Sequence, residues 1–132
     1  MKKSVLLLVA IFLFNSVFSQ STSVDYFNKG NSLMQAKDLE GAVFNFTTAI
    51  KLDPNYEMAY VNRALCRMAK GKWASAIPDC NKALEINPNQ AVAYFIRGCA
   101  KANTKKNGCS DLYKSLDLGY SFSQNAIAKF CK

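Results

Sequence analysis

An all-α fold, a helix-turn-helix repeat solenoid of three paired-helix units closed by a C-terminal capping helix, follows from three features of this 132-residue sequence. The stretch KLDPNYEMAYVNRA, residues 51–64, is echoed by EINPNQAVAYFIRG at residues 85–98, an offset of 34 positions. Each copy sits among apolar stripes of helical period. Short polar breaks, Lys37-Asp38 and Lys70-Gly71-Lys72, divide the stripes. A fixed period in this range marks a stack of identical supersecondary units, each burying its apolar face on the next.

The N-terminus is set aside first. Lys2 and Lys3 precede an apolar run of ten residues, Val5 to Phe14, and Val17-Phe18-Ser19 ends the run with a small residue before Gln20. Charge, length and ending match a secretory signal peptide over 1–19, cleaved near Ser19-Gln20. The run is half the length a membrane-spanning helix needs, about 20 residues, so no membrane span is expected in the mature form. The expected location is exported, periplasmic or secreted, and the shortness of the leader suggests a bacterial protein.

The first unit runs from Tyr26 to Ala36, breaks at Lys37-Asp38 and continues from Leu39 to Leu52, with Asp38 placed to cap the second helix. In the second unit Tyr60, Ala64, Leu65 and Met68 form one stripe, and Ala76, Ile77, Cys80, Ala83 and Leu84 another, ended by Asn87-Pro88. Ala42, Ala49, Pro54 and Asn55 align with Ala76, Ala83, Pro88 and Asn89. Tyr26, Tyr60 and Tyr94 share one column, and Gly30, Ala64 and Gly98 another. The small residues mark places where helices approach closely. Pro78 falls inside a helix, where it costs a hydrogen bond.

The third unit keeps the offset through Tyr94, Arg97 and Gly98. Asp111, Lys114, Leu116 and Asp117 then align with Asp79, Lys82, Leu84 and Glu85 at an offset of 32, which predicts a shorter turn with Gly108 at the small-residue position. Gly119 suits a left-handed helix end. Ser121-Phe122-Ser123-Gln124 has capping-box spacing, opening a last helix through Ala126, Ile127, Phe130 and Cys131.

The pattern carried by Tyr26, Gly30, Leu33, Ala42, Phe46, Ala49 and Pro54, and again by Tyr60, Ala64, Ala76, Ala83 and Pro88, resembles the tetratricopeptide repeat (TPR), with Cys80 in place of the usual aromatic. The resemblance implies one TPR domain over 20–132. It divides into three TPR-like repeats at about 23–56, 57–90 and 91–120 and a capping helix at about 121–131.

In that family the first helices line a concave groove that binds an extended peptide or a partner helix. By register the resemblance places Val24, Phe27, Asn28, Asn31 and Met34 there, then Val61, Asn62, Leu65 and Met68, then Val92, Phe95, Ile96 and Cys99. A family variant grips a terminal carboxylate with two asparagines and three basic residues. Asn31 and Asn62 match the asparagines, but Phe27, Val92 and Ile96 occupy the basic positions, leaving a carboxylate little to pair with. An apolar groove bearing two amides remains, suited to a segment with hydrophobic anchors.

Other chemistries find little support. The chain has no His, which removes the commonest general base and metal ligand. No phosphate-binding glycine loop is present, the cysteine spacings form no metal motif, and the acidic residues are read as solvent-facing. No catalysis, metal or cofactor is expected. The net charge of +8 includes Lys2 and Lys3, and in the mature chain Lys105-Lys106 is the one adjacent basic pair. This reads as a solvated basic surface, so a nucleic-acid partner is not expected.

Five cysteines make an odd count. Cys109 and Cys131 would meet if the last two helices pack antiparallel, and are the disulfide candidate. Cys80 reads as core, and Cys66 and Cys99 could pair or stay reduced. Asn45-Phe46-Thr47 matches a glycosylation acceptor, but Phe46 is expected in the core. The expected function is a monomeric, non-catalytic module with a protein or peptide partner. A structural adaptor assembling through its end faces, or a thiol-active redox protein using Cys66 or Cys99, are the alternatives.

Overall fold

The computed structural model describes residues 21–132, so the expected leader at 1–19 lies outside the described residues. Seven helices follow one another: α1 (Ser23–Gln35), α2 (Leu39–Leu52), α3 (Glu57–Ala69), α4 (Trp73–Ile86), α5 (Ala91–Asn103), α6 (Cys109–Asp117) and α7 (Ser123–Phe130). No strand occurs among the described residues, and none of their helices is long and apolar enough to cross a membrane. Within the first three pairs α1 packs on α2, α3 on α4 and α5 on α6, while α7 rests on α6 and α5. The inner helices α1, α3 and α5 also touch in succession, whereas α2, α4 and α6 do not touch one another. The stack therefore curves, with the inner helices on its concave side.

Local chemistry sets the helix ends. Thr22 and Asp25 form a reciprocal capping box at α1, and the Asp38 carboxylate accepts from the Gly41 N–H at 2.9 Å to start α2. The turns inside the repeats share one device at the same 34-residue spacing. Lys37, Gly71 and Lys105 all take left-handed φ, of 63°, 70° and 58°. That lets the next N–H reach back to the carbonyls of Leu33, Arg67 and Lys101, closing each helix. Gly119 (φ 94°) ends α6 in the same way, with the Tyr120 N–H on the Ser115 carbonyl.

Three local expectations are corrected. The third unit is short because α6 lacks its first turn, with 9 residues against 14 in α2 and in α4; the connection before it, 104–108, is longer. There the Gly98 and Gly108 backbones lie against each other, with no space for a Cβ at Gly108. The capping box at Ser121 does not form. Helix α7 begins two residues later, at Ser123, whose hydroxyl turns inward and donates to Ser115 Oγ at 2.8 Å. Ser115 in turn donates to the Ala91 carbonyl at 2.7 Å. Both serines are fully buried, and this relay ties α7 and α6 to the start of α5.

The third correction concerns the acidic residues, two of which are core. Asp79 and Asp111 are 3% and 6% exposed. Arg63 grips Asp79 through Nε (3.0 Å) and Nη2 (2.6 Å), and Arg67 adds a third bond at 2.8 Å. Arg97 repeats the fork on Asp111 at 2.9 and 2.7 Å, with Lys101 in the role of Arg67 at 2.7 Å. Each arginine extends its remaining Nη1 to the preceding outer helix, Arg63 to Thr47 and Arg97 to Asn81, both at 3.0 Å. The first unit has Asn45 at the equivalent position, buried and bonded to the Gly41 carbonyl at 2.8 Å, which also removes it as a glycan acceptor.

Small residues allow the helices to close on one another. Ala42, Ala49, Ala64, Ala76 and Ala83 are fully buried, and a Cβ on Gly30 would lie 2.6 Å from the Phe46 ring. Cys109 and Cys131 are joined by a disulfide (Cα–Cα 5.7 Å) that fixes the end of α7 beside the start of α6. Cys66, Cys80 and Cys99 are free and buried.

Two predictions come from this packing. A methyl group at Gly108 collides with the Gly98 carbonyl oxygen. Gly108→Ala should therefore lose about 1–3 kcal/mol in urea unfolding, the usual cost of overpacking a tight contact; an unchanged midpoint would contradict the close approach. Asp111→Ala leaves two cations without their partner and should cost about 3 kcal/mol at neutral pH. Burial alone would raise the Asp111 carboxyl, but the hydrogen bonds and charges of Arg97 and Lys101 outweigh it and hold the group below its ordinary 3.8. A lowered folded-state value gives stability that is complete above the unfolded value and lost as pH falls through the folded one. The gap between wild type and variant should thus shrink as pH drops below about 4; an equal gap at neutral and strongly acid pH would contradict the charge account.

Candidate functional site

The concave face is built from side chains on the inner helices that the core only half covers. Phe27 and Met34 of α1 lean on the Ala42, Phe46 and Cys66 cluster. Phe27 also meets the Tyr56 ring at 4.7 Å between centroids. Leu65 and Met68 of α3, with Val92 and Phe95 of α5, lie against the central cluster around Tyr60, Ala64, Ala83 and Ile96. Phe95 continues outward through Tyr120 (5.1 Å) to Phe122 (5.4 Å from Tyr120). Val24 is half exposed and Asn28 exposed.

Asn31 and Asn62, from neighbouring units, come together: Asn62 Nδ2 donates to Asn31 Oδ1 at 2.7 Å. Each amide keeps hydrogen-bonding capacity for a main-chain group. Asn31 retains its NH2 donors and Asn62 its carbonyl oxygen.

Two expected groove residues are core instead: Val61 (1% exposed) and Ile96 (0%) are buried, while Cys99 (7%) is buried but lines the floor of a cavity at the C-terminal end of the face. Helices α3 and α5 have neighbours on both sides, so the edge of the inner stripe that faces the next unit is covered; α1 has no such neighbour before it among the described residues.

The same burial bears on the thiols. Burial pushes the Cys80 thiol up to about 12 and the Cys99 thiol up to about 11, and also raises that of Cys66. The thiolate is the reactive form, so these groups are poor nucleophiles. Among the described residues no group of three His, Cys, Asp or Glu side chains is placed to hold a metal.

The sequence reading placed Met68, Phe95 and Cys99 at the C-terminal end of this face but missed the walls that α4 and α7 contribute. A cavity of about 410 Å³ opens between the α3–α4 turn, α5 and α7. Met68, Trp73, Phe95, Phe122 and Phe130 form its apolar wall, and Asn103, Asn125 and Lys129 its polar rim. Phe122, Asn125, Ala126 and Lys129 are spaced i, i+3, i+4, i+7, so one face of α7 was already marked as a second stripe.

Known proteins share this architecture. Models of the tetratricopeptide repeat match residues 24–56 and 58–90, together half of the chain. The chain is 35% identical over 92 residues to the E3 ubiquitin-protein ligase CHIP of Arabidopsis thaliana, covering 68% of this chain and 33% of that protein. It is 30% identical over 104 residues to DnaJ homolog subfamily C member 7 of Mus musculus, covering 79% and 21%. The chain thus spans a third or less of the length of these relatives. Among solved structures, the first TPR of Spaghetti (RPAP3) bound to the HSP90 peptide SRMEEVD superposes with a TM-score of 0.77 at 26% identity, over 83% of this chain and 92% of that one. The Arabidopsis OM64 TPR domain gives 0.75 at 28% identity, over 82% and 95%.

Thiol burial makes a direct prediction. At pH 8 a thiol with a value of about 11 is ionised in about one molecule in a thousand. A maleimide or iodoacetamide probe should leave Cys66, Cys80 and Cys99 unmodified in the folded chain and label all three in denaturant. Fast labelling of Cys99 or Cys66 in the native state would restore the redox alternative.

Proposed function

The chain belongs to the tetratricopeptide-repeat family, and on that premise we propose that it is a non-catalytic protein-interaction module holding a peptide segment or a partner helix on its concave face. The observation that carries this reading is the half-covered apolar row Phe27, Met34, Leu65 and Phe95 beside the Asn31–Asn62 amide pair. Apolar rows take anchor side chains, and the spare amide groups satisfy the main chain of the segment between anchors.

The positions that hold cations in carboxylate-gripping relatives carry Phe27, Val92 and Ile96 here. The proposed partner segment is therefore recognised along its length and not by its terminal carboxylate.

The proposal includes export. Lys2-Lys3, the apolar run and the small residue before Gln20 support a leader, and the Cys109–Cys131 disulfide suits an oxidising compartment such as the bacterial envelope. We propose that the mature form is a monomer.

A second reading has its own observation. Phe44 is 69% and Val24 50% exposed on the first unit, which no helix pair precedes among the described residues. An adaptor assembling through that end would use them.

The combined Phe27→Ala, Asn62→Ala and Phe95→Ala variant, checked as folded by circular dichroism, separates the readings. Groove binding predicts loss of partner capture from an envelope extract at unchanged oligomeric state. Capture at the wild-type level by the folded variant, with concentration-dependent self-association, would replace the groove with the end face.

A further inference from the structure

We propose that the cavity walled by the Cys109–Cys131 disulfide is a thiol-exchange site for a small carboxylate-bearing thiol, and that opening the bond there releases the C-terminal half of α7 from the stack. The site lies away from the Asn31–Asn62 pair and stands whether or not the concave face takes a peptide.

Both cysteines line a cavity of about 340 Å³ between the α5–α6 connection and the end of α7. Each is half-buried, so an attacking sulfur can reach the bond from the cavity. The volume is at the small end of ligand sites and suits a small organic thiol. Lys106, from the connection, and Lys132, just beyond α7, are exposed and line the same space, and no Asp or Glu is among the lining residues. Two cations without a carboxylate concentrate an anionic thiolate there.

The direction of attack follows from where the sulfurs sit. Cys109 is the first residue of α6, at the positive end of that helix, and its N-cap, Gly108, offers no side chain to that end. A thiolate is stabilised at such a position and leaves faster. The incoming thiolate therefore bonds to Cys131 Sγ, and the electron pair of the broken S–S bond passes to Cys109 Sγ, which takes a proton from water. A second small thiolate then attacks the small-molecule sulfur of the mixed disulfide and releases Cys131 as a thiolate. In sum, two small thiols are oxidised to one disulfide, and the protein disulfide gains two electrons.

The consequence falls on α7. Its fully or largely buried attachments, Ser123 and Ala126, lie in its first half. Beyond them it rests on the half-buried Ile127 and Phe130 and on the disulfide. A helix of eight residues with no side-chain cap does not hold its own end in water. Ala126, Ile127, Phe130 and Cys131 belong to the cluster that covers Cys99, so lifting this half uncovers that thiol. Cys66 and Cys80 lie in the other two clusters and stay covered.

The test reads each cysteine by alkylation and mass. Mercaptopropionate, mercaptoethanol and cysteamine serve as anionic, neutral and cationic reductants. Each rate per thiolate is divided by that of the same thiol on an uncharged model disulfide, which removes intrinsic nucleophilicity. Mercaptopropionate should lead mercaptoethanol about five-fold, the scale of two exposed ion pairs, with cysteamine slowest. Lys106→Glu combined with Lys132→Glu should invert that order. After reduction Cys99 should be alkylated about a hundred-fold faster, the scale on which closing a loop of 22 residues acts, while Cys66 and Cys80 remain protected. Cys109→Ala with Cys131→Ala should show the same fast Cys99 without reductant.

A bond that opens only in denaturant, or corrected rates equal for the three thiols, would overturn the exchange site. Cys99 as slow after reduction as before would show that α7 stays docked and would overturn the release. Cys66 and Cys80 reacting together with Cys99 would overturn it as well, since the bond would then staple the whole stack.

Discussion

The stack depends on two carboxylates that are out of water. Asp79 and Asp111 would be strongly destabilising at 3% and 6% exposure if left alone. Each is tolerable because an arginine fork and a second cation meet it at hydrogen-bonding distance. Apolar contacts among Ala, Leu and Ile would accept small slides of one helix along another, whereas a planar guanidinium locked to a planar carboxylate does not. The value of the pairs lies in register more than in net stability, since buried ion pairs often do little better than packed hydrocarbon. Because the same arginines reach back to Thr47 and Asn81, each fork also fixes the step from one unit to the next. The spacing of the inner helices, and hence of everything on the concave face, is set at these two points.

That face is not uniform along its length. Toward α1 it offers an amide pair and Phe27 in tilted contact with Tyr56; toward α7 it becomes an aromatic cleft rimmed by a lysine. The change follows from what each end must satisfy. Helices α3 and α5 are covered on both sides, so Val61 and Ile96 are taken into the core and only the outer edge of the stripe stays available. At the C-terminal end of the described residues a single helix, α7, covers part of what a pair would cover, leaving Phe122 and the walls around Trp73 partly open.

The repeat, the helix pairs and the small-residue contacts were legible because each is written twice or three times at one spacing, and repetition separates packing from accident. The left-handed turn position was less visible. It is Gly71 in one copy but Lys37 and Lys105 in the others, and lysine does not advertise positive φ. The buried aspartates were missed for a related reason: composition places Asp outside, and only the recurrence of Arg63 as Arg97, 34 positions on, together with that of Asp79 as Asp111, 32 positions on, signals a partner. The groove was legible at the level of register but not of exposure. Whether Val61 or Leu65 faces the cleft depends on how far neighbouring helices lean, which no one-dimensional pattern records.

Helix α7 shows how little local sequence can matter once tertiary attachments exist. At eight residues, with no side-chain cap, it is far below the length at which an isolated helix persists in water. It is held at three places: Ser123 through the hydroxyl relay to Ala91, Ala126 in the cluster with Cys99 and Leu112, and Cys131 through the disulfide to α6. These attachments lie on one side of the helix, and Phe122, Asn125 and Lys129 project from it toward the cavity. A cap whose only task was to shield α6 from solvent would be polar on its outer face. This one carries an exposed phenylalanine and a lysine about two helical turns apart, so the element that closes the stack also forms one wall of the cleft.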